Sequence, residues 1–531
     1  MKKFIQILWL LVPVLLAGQN QRWEVIHGSQ YRNESLRHIL EDYDRGLFLS
    51  GHQWVDYEGD GWGFKTDVNG AMLYEKVVTH GDFTLLLRGA TNDMNGNKYV
   101  CGTFWDEHSW PFIMKLDSCG SIVWCEALRD DDFDFGYSKN ILVANDNMIV
   151  LLTNYTNIQN PINIIHIIAF DTDGNKLWMK PYASLNDYPL METPVCYDFI
   201  EFNGCYYIAG FCFYPFPDNP NHLWRRPMFI GIDSLFNEKF VLPFMVSDSV
   251  LGNAYSIIPL NDSTLLGVGS NIYPLGTGKI SAGLMFIRPD GEEVGHNHAT
   301  CDQIGPEIME VIPYDVEKIN DTLLLTSSYY GSEAGGNPLG EIIMDTSGKI
   351  YKHQSDSSLF NAYMVKTYDD NFLFGGLIRQ NNSSWKDIIL YKLNDSLESV
   401  PFDTTQYVYD SLCPHTIQSG TIDLNDCLTI VDIGELPTPK EYRESIRWIP
   451  IKAYPNPVTE GKLTLEFENT EHHKNMELRC YDDFGRQIRN QKIYRGQQDT
   501  ELDVSNWPPG IYIAVVYSEG SARGKVKFII Q

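Results

Sequence analysis

The sequence predicts an all-β protein: a seven-bladed β-propeller followed by a small C-terminal β-sandwich. Short apolar runs are separated by Gly, Pro, Asp and Asn, and no long amphipathic helical pattern interrupts them. The central region repeats with a period near 50, and each unit holds several short strands, which is the pattern of propeller blades. The last eighty or so residues leave that period and form a separate set of five short runs. An open β-solenoid is the alternative fold for the repeats.

Residues 1–18 have the layout of a cleavable secretory signal. Lys2 and Lys3 precede an apolar stretch of about thirteen residues, Phe4–Leu16, and the small residues Ala17 and Gly18 follow. That stretch falls short of the roughly twenty apolar residues of a spanning helix. No later stretch reaches that length either, so no transmembrane anchor is expected.

The repeats extend over about 22–400. One unit reads Asn97–Gly102, then Phe112–Gly120, then Ser121–Trp124, and it recurs as Ile165–Phe170, Asp171–Gly174 and Asn175–Trp178. The turn anchors Gly70, Gly120, Gly174, Asn237, Gly291, Gly348 and Asp395 lie 47 to 63 residues apart, which counts seven units. Asp in these turns bonds the neighbouring backbone, and Gly supplies the positive φ of a tight hairpin. The Asp-turn-Trp pieces resemble the docking repeats of quinoprotein-type propellers and the Asp-boxes of sialidase-type propellers. They are read as packing devices. Residues 401–448, with Pro401, Pro414, Pro437 and Pro439, read as a linker rather than an eighth blade.

A net charge of −28, from 69 acidic and 41 basic residues, leaves no basic stripe for nucleic acid. Of ten cysteines, Cys413 and Cys427 bracket a short polar stretch and form the candidate disulfide. No Cys-x-x-Cys pair or His-x-x-x-His partner is present, so neither a metal site nor a cofactor is expected. The acidic runs Asp130–Asp134 and Glu41–Asp44 read as solvated loops, and His296 with His298 as a surface pair. No Gly-x-Ser-x-Gly elbow and no phosphate-binding glycine loop nominates catalytic residues.

Trp54, Trp105, Trp110 and Trp224 occupy equivalent loops between the first two strands of their repeats. Equivalent propeller loops project from one rim, and aromatic faces stack on sugars and peptides, so these four are the candidate ligand rim. The expected function is binding of an extracellular glycan or protein. The competing expectation is a hydrolase of polysaccharide or peptide, with two carboxylates gathered at the propeller mouth.

The tail, 449–531, carries four ordered motifs: Lys452–Val458 with Pro455-Asn456-Pro457, Tyr481–Arg486 around Gly485, Pro509–Tyr512 with Gly510 and Tyr512, and Lys525–Gln531 with Lys525 and Lys527. In order and spacing these resemble the C-terminal (type A) sorting domain of substrates of the Bacteroidetes type IX secretion system. The resemblance implies two partners, the type IX machinery and a sorting peptidase. It also implies a product that is released or attached to the outer-membrane surface after passage through the periplasm.

Overall fold

The computed structural model describes residues 23–531 apart from 29–31, 56–57, 82, 106–107, 130–134, 145–147, 157–162, 184–190, 217–218, 246–249, 274–276, 333–338, 357, 380–384, 410, 427, 434–435, 447–448, 468–475, 483–484 and 519–520. The signal segment 1–18, the acidic run 130–134 and Cys427 therefore lie outside the described residues. The chain divides into two compact units, Met1–Leu436 and Pro437–Gln531.

Among the described residues, the first unit holds seven antiparallel four-stranded blades. Blade 1 is Asn33–Glu41, Leu47–Val55, Glu58–Thr66 and Met72–Thr79, and blade 2 is Thr84–Asn92, Lys98–Trp105, Ser109–Leu116 and Ile122–Arg129. The first strands of blades 3 to 7 are Phe135–Val143, Glu192–Phe202, Ser256–Asn261, Ile308–Lys318 and Leu359–Lys366. Each sheet is apolar on both faces because it is sandwiched between neighbours. One cluster joins Phe48 and Val78 of blade 1 to Leu85, Val100 and Met114 of blade 2. Comparable clusters join blades 4 to 5 and 5 to 6.

The ring closes with a strand from the other end of the chain. Glu24–His27 pairs antiparallel with Asp387–Leu393, setting Glu24 opposite Tyr391 and His27 opposite Ile388, and so supplies the fourth strand of blade 7. Trp23 is buried beside it, and its indole N–H donates to Val68 O at 3.2 Å. The hairpin turns fall where the repeat placed them. Positive φ sits at Gly70, Gly120, Gly174, Gly291 and Gly348, but at Phe236 and Leu397 rather than at Asn237 and Asp395.

The acidic run at Glu41–Asp44 departs from its reading as a solvated loop. Asp42 is fully buried, and its Oδ2 receives Lys65 Nζ at 2.9 Å and Lys98 Nζ at 2.7 Å. Lys65 also pairs with Asp44. Burial opposes the charge of Asp42, yet the two lysines outweigh it and hold the carboxyl below its usual range. Two cations, Lys65 from the same blade and Lys98 from the next, make a buried carboxylate tolerable there.

Residues after Pro401 run along the propeller. Asn69 and Asp403 exchange two hydrogen bonds of 2.8 and 2.7 Å. Gly420–Asp423 then adds a parallel strand to blade 1, and Leu428–Asp432 adds one to blade 2. Ile422 and Leu424 bury themselves in the core between those blades, so the outer edges of both sheets are covered. The expected Cys413–Cys427 disulfide is corrected: Cys413 is a free thiol, because the chain carries it to the turn of blade 2 instead. Cys125 of that blade is the disulfide-bonded residue.

The second unit pairs a three-stranded sheet with a four-stranded one. Its core gathers Leu463, Leu465, Leu478, Val516 and Phe528 among others. It opens with the helix Pro439–Ile446, which the Pro-rich reading of 401–448 did not expect. Thr438 and Glu441 cap the helix reciprocally, Glu441 N donating to Thr438 Oγ1 and Thr438 N to Glu441 Oε2.

Trp23→Ala is expected to cost about 3–5 kcal/mol in urea unfolding, the usual cost of emptying a large buried aromatic site. The exposed Val123→Ala is the control and should stay within about 0.5 kcal/mol. Asp42→Leu should destabilise by about 3–5 kcal/mol, since it leaves Lys98 buried without its carboxylate.

Candidate ligand site in the propeller channel

The first strand of every blade runs along the axis of the ring, and together they enclose a cavity of about 590 Å³. Its wall is asymmetric. Blades 1 to 3 contribute Arg37, Arg88 and Lys139, whereas blades 4 to 7 contribute Tyr197, Tyr255, Tyr314 and Tyr363.

A backbone irregularity aims these side chains inward. Arg37, Arg88, Lys139, Tyr197 and Tyr314 are each the unpaired residue at a register break with the second strand. A bulge of this kind redirects one side chain out of the sheet's alternation. Tyr255 immediately precedes the first strand of blade 5, and Tyr363 follows a register break in blade 7.

The residue after the bulge locks neighbouring blades together. Asp198 Oδ1 accepts from Phe199 N at 2.8 Å, and its Oδ2 accepts from Ile257 N of the next blade at 2.9 Å. Asp315 repeats this with Val316 N at 2.9 Å and Met364 N at 3.1 Å. Burial raises both carboxyls above their usual range, Asp315 well above it, with Glu317 and Asp198 adding to the shift of Asp315. These are the carboxylates nearest to the pair that a hydrolase needs. Both oxygens of each already accept backbone N–H bonds that hold the ring.

The cations have no such partners. Among the described residues none of Arg37, Arg88 and Lys139 has an ion pair with a carboxylate, and the Nε atoms of Arg37 and Arg88 are buried without a hydrogen bond. Burial, with Arg88 and Arg37 adding to it, draws Lys139 down to about 8. Burial likewise lowers Arg88, with Arg37 contributing. His38, also on the wall, is lowered to about 4 by burial and is neutral at pH 7.

The two halves of the wall meet through aromatic contacts. Arg88 lies 5.8 Å from the Tyr137 ring, and Lys139 lies 5.9 Å from that ring and 6.0 Å from Tyr197. Tyr197, Tyr255 and Tyr314 continue at centroid spacings of 4.9 and 5.4 Å. The result is an arc of cations and phenol rings around one cavity.

The four tryptophans stand on hairpins between the second and third strands of blades 1, 2 and 4, one strand later than expected, because another strand opens each of these blades. The Trp105 ring lies 6.1 Å from that of Tyr137. Trp54 packs edge-on against His52, Trp110 against His108, and Trp224 is 41% exposed. His298, read with His296 as a surface pair, is instead stacked on Tyr273 at 4.0 Å. The channel residues escaped sequence reading, although a signal existed. The recognisable repeat lies in the second and third strands, whereas the inward residue of each first strand is a cation or Tyr that precedes a half-buried segment.

In the second unit, Asn456 clasps the final strand: its Oδ1 accepts from Ile529 N and its Nδ2 donates to Lys527 O. Gly485 takes positive φ in the turn closed by Asp482 and Arg486. Tyr512 stacks on Phe528 and donates to Pro508 O at 2.7 Å. Gly510 pairs with Ile530, and Lys525 and Lys527 stand on the same last hairpin. Residues 452–531 match the family described as the secretion system C-terminal sorting domain. The tail is a type IX sorting domain. It marks the chain for export, to the medium or the cell surface, and implies contact with the type IX machinery. Among the described residues no helix is long and apolar enough to cross a membrane.

No curated protein matches the chain. Among solved structures it is similar to the polysaccharide lyase Uly1, at 8% identity over 71% of this chain and 93% of that one, with a TM-score of 0.42. A Dyadobacter fermentans protein of unknown function shares 9% identity over 70% and 98%, with a TM-score of 0.39. An endo-arabinase from Bacteroides thetaiotaomicron shares 13% over 51% and 95%, with a TM-score of 0.31. Likenesses this distant carry no argument about chemistry.

Proposed function

We propose that the exported propeller binds an acidic glycan in its channel, with cations on the acid group and tyrosine rings against the sugar. One observation carries this reading: three cations converge on a cavity without a carboxylate partner among the described residues. Uncompensated buried charge is costly, and an anionic ligand relieves it. The facing tyrosines supply flat apolar faces and hydroxyls, the chemistry that suits a sugar ring better than a bare inorganic anion. A volume of about 590 Å³ suits a short segment of chain. In this reading Trp105, whose ring lies 6.1 Å from that of Tyr137, extends the same surface outward. The hydrolase alternative is less well supported, because Asp198 and Asp315 are committed to the inter-blade bonds.

Calorimetric titration of the full-length protein tests the reading, using uronate- or sulfate-bearing oligosaccharides against neutral ones. Acidic chains should bind at least tenfold tighter, and Arg88→Ala should weaken them about 10- to 100-fold, the worth of one charge-assisted hydrogen bond. Equal affinity for neutral chains would overturn the proposal.

The pH dependence has a defined sign. An anion is held by protonated Lys139, whose proton leaves near pH 8 in the free protein. Affinity should therefore be level below about pH 7 and fall as pH rises through 8. Lys139→Arg should keep its affinity at pH 9, because guanidinium stays charged there.

The tail is proposed to act only as an address. Deleting residues 449–531 should leave the propeller folded and confined to the periplasm, as read by fractionation and circular dichroism. Its normal appearance outside the cell would contradict that role.

A further inference from the structure

A second cluster lies at the turn between the third and fourth strands of blade 2. Asp117 and Cys119 stand on that turn, and the chain after Pro401 returns to it with Cys413 and His415. His415 Nε2 is 3.0 Å from Asp117 Oδ2. One potential ligand atom each of Asp117, Cys119 and His415 falls within 4.8 Å of the other two. The Cys413 thiol lies close to that of Cys119.

We infer that Asp117, Cys119, Cys413 and His415 form a tetrahedral zinc site that clips the returning segment to blade 2. Two thiolates, one imidazole and one carboxylate are a ligand set that zinc accepts, with bonds of about 2.0–2.3 Å. Such bonds place ligand atoms about 3.3–3.8 Å apart, so a small contraction brings Asp117, Cys119 and His415 together, and the Cys413 side chain, outside that group of three, turns in to complete the tetrahedron. The rest of the site is already braced. Asp117 Oδ1 is held by Cys119 N at 2.9 Å and Ser121 N at 2.8 Å, which leaves Oδ2 turned to His415. Ser118 Oγ donates to Leu412 O at 2.7 Å, and Cys119 Sγ to His415 O at 3.2 Å, so both chain segments are fixed beside the ligands. Binding displaces the two thiol protons and replaces the imidazole–carboxylate bond; no oxidation is involved.

The signal in the sequence is Asp-x-Cys in one place and Cys-x-His nearly three hundred residues later, and neither half alone matches a zinc motif. The site is independent of the channel, and its test does not use glycan binding.

The full-length protein, reduced and stripped with chelator, is dialysed with zinc alone and its metal content measured. One zinc per chain is expected, and cobalt in its place should give the intense thiolate-to-cobalt charge-transfer band. Cys413→Ser should weaken zinc by more than the roughly 10- to 100-fold that loss of a supporting partner behind the ligands costs. His415→Ala, at an exposed residue where misfolding is not expected, should do the same and abolish the zinc-dependent rise in melting temperature. A stoichiometry near zero would overturn the site. So would a Cys119–Cys413 disulfide in non-reduced digests of protein recovered from the medium.

Discussion

The pairing of Glu24–His27 with Asp387–Leu393 is the constraint on which the rest of the propeller depends. A blade exposes two apolar faces, and only a closed ring gives every face a partner. Closure also removes the free sheet edge that an open array of blades would leave. Trp23 seals the junction from inside, buried against the turn at Val68–Gly70. Because closure joins the two ends of a chain segment nearly four hundred residues long, all seven first strands are held at a common radius. The channel exists only as a consequence of that radius.

Within this frame, polar groups do two distinct kinds of work. Asp198 and Asp315 satisfy backbone donors exposed at the bulges and tie each blade to the next. Asp42, Lys65 and Lys98 neutralise one another between blades 1 and 2. In both cases charge or hydrogen-bonding capacity is consumed internally. Arg37, Arg88 and Lys139 differ, because the same bulges turn these side chains into the cavity, where among the described residues none of them has an ion pair with a carboxylate. The contrast between satisfied and unsatisfied groups separates scaffold from site.

Much of the fold was legible in the sequence, and the reasons are local. Gly70, Gly120 and Gly174 mark turns because a tight hairpin demands positive φ, a property of the residue itself. The sorting tail was legible because its motifs are short, ordered and tied to specific turns. The helix at Pro439–Ile446 was legible in principle through Thr438 and Glu441, but prolines nearby obscured it. The site was far less legible. Tryptophans drew the reading toward the rim, whereas the channel is lined by ordinary Arg, Lys and Tyr residues that no local pattern distinguishes.

The sequence by itself determined the strands, the turns, the number of repeats and the export address, since each rests on residues close together in the chain. Only the tertiary structure decided which side chains meet. Arg37 and Tyr363 share a cavity because ring closure brings blade 7 beside blade 1. Asp42 is buried rather than solvated because Lys98 arrives from the next blade. Cys413 faces Cys119 rather than pairing with Cys427 because the segment after the propeller runs back over blade 2. Turn and strand preferences are short-range energies, whereas these meetings are set by how seven sheets pack around one axis.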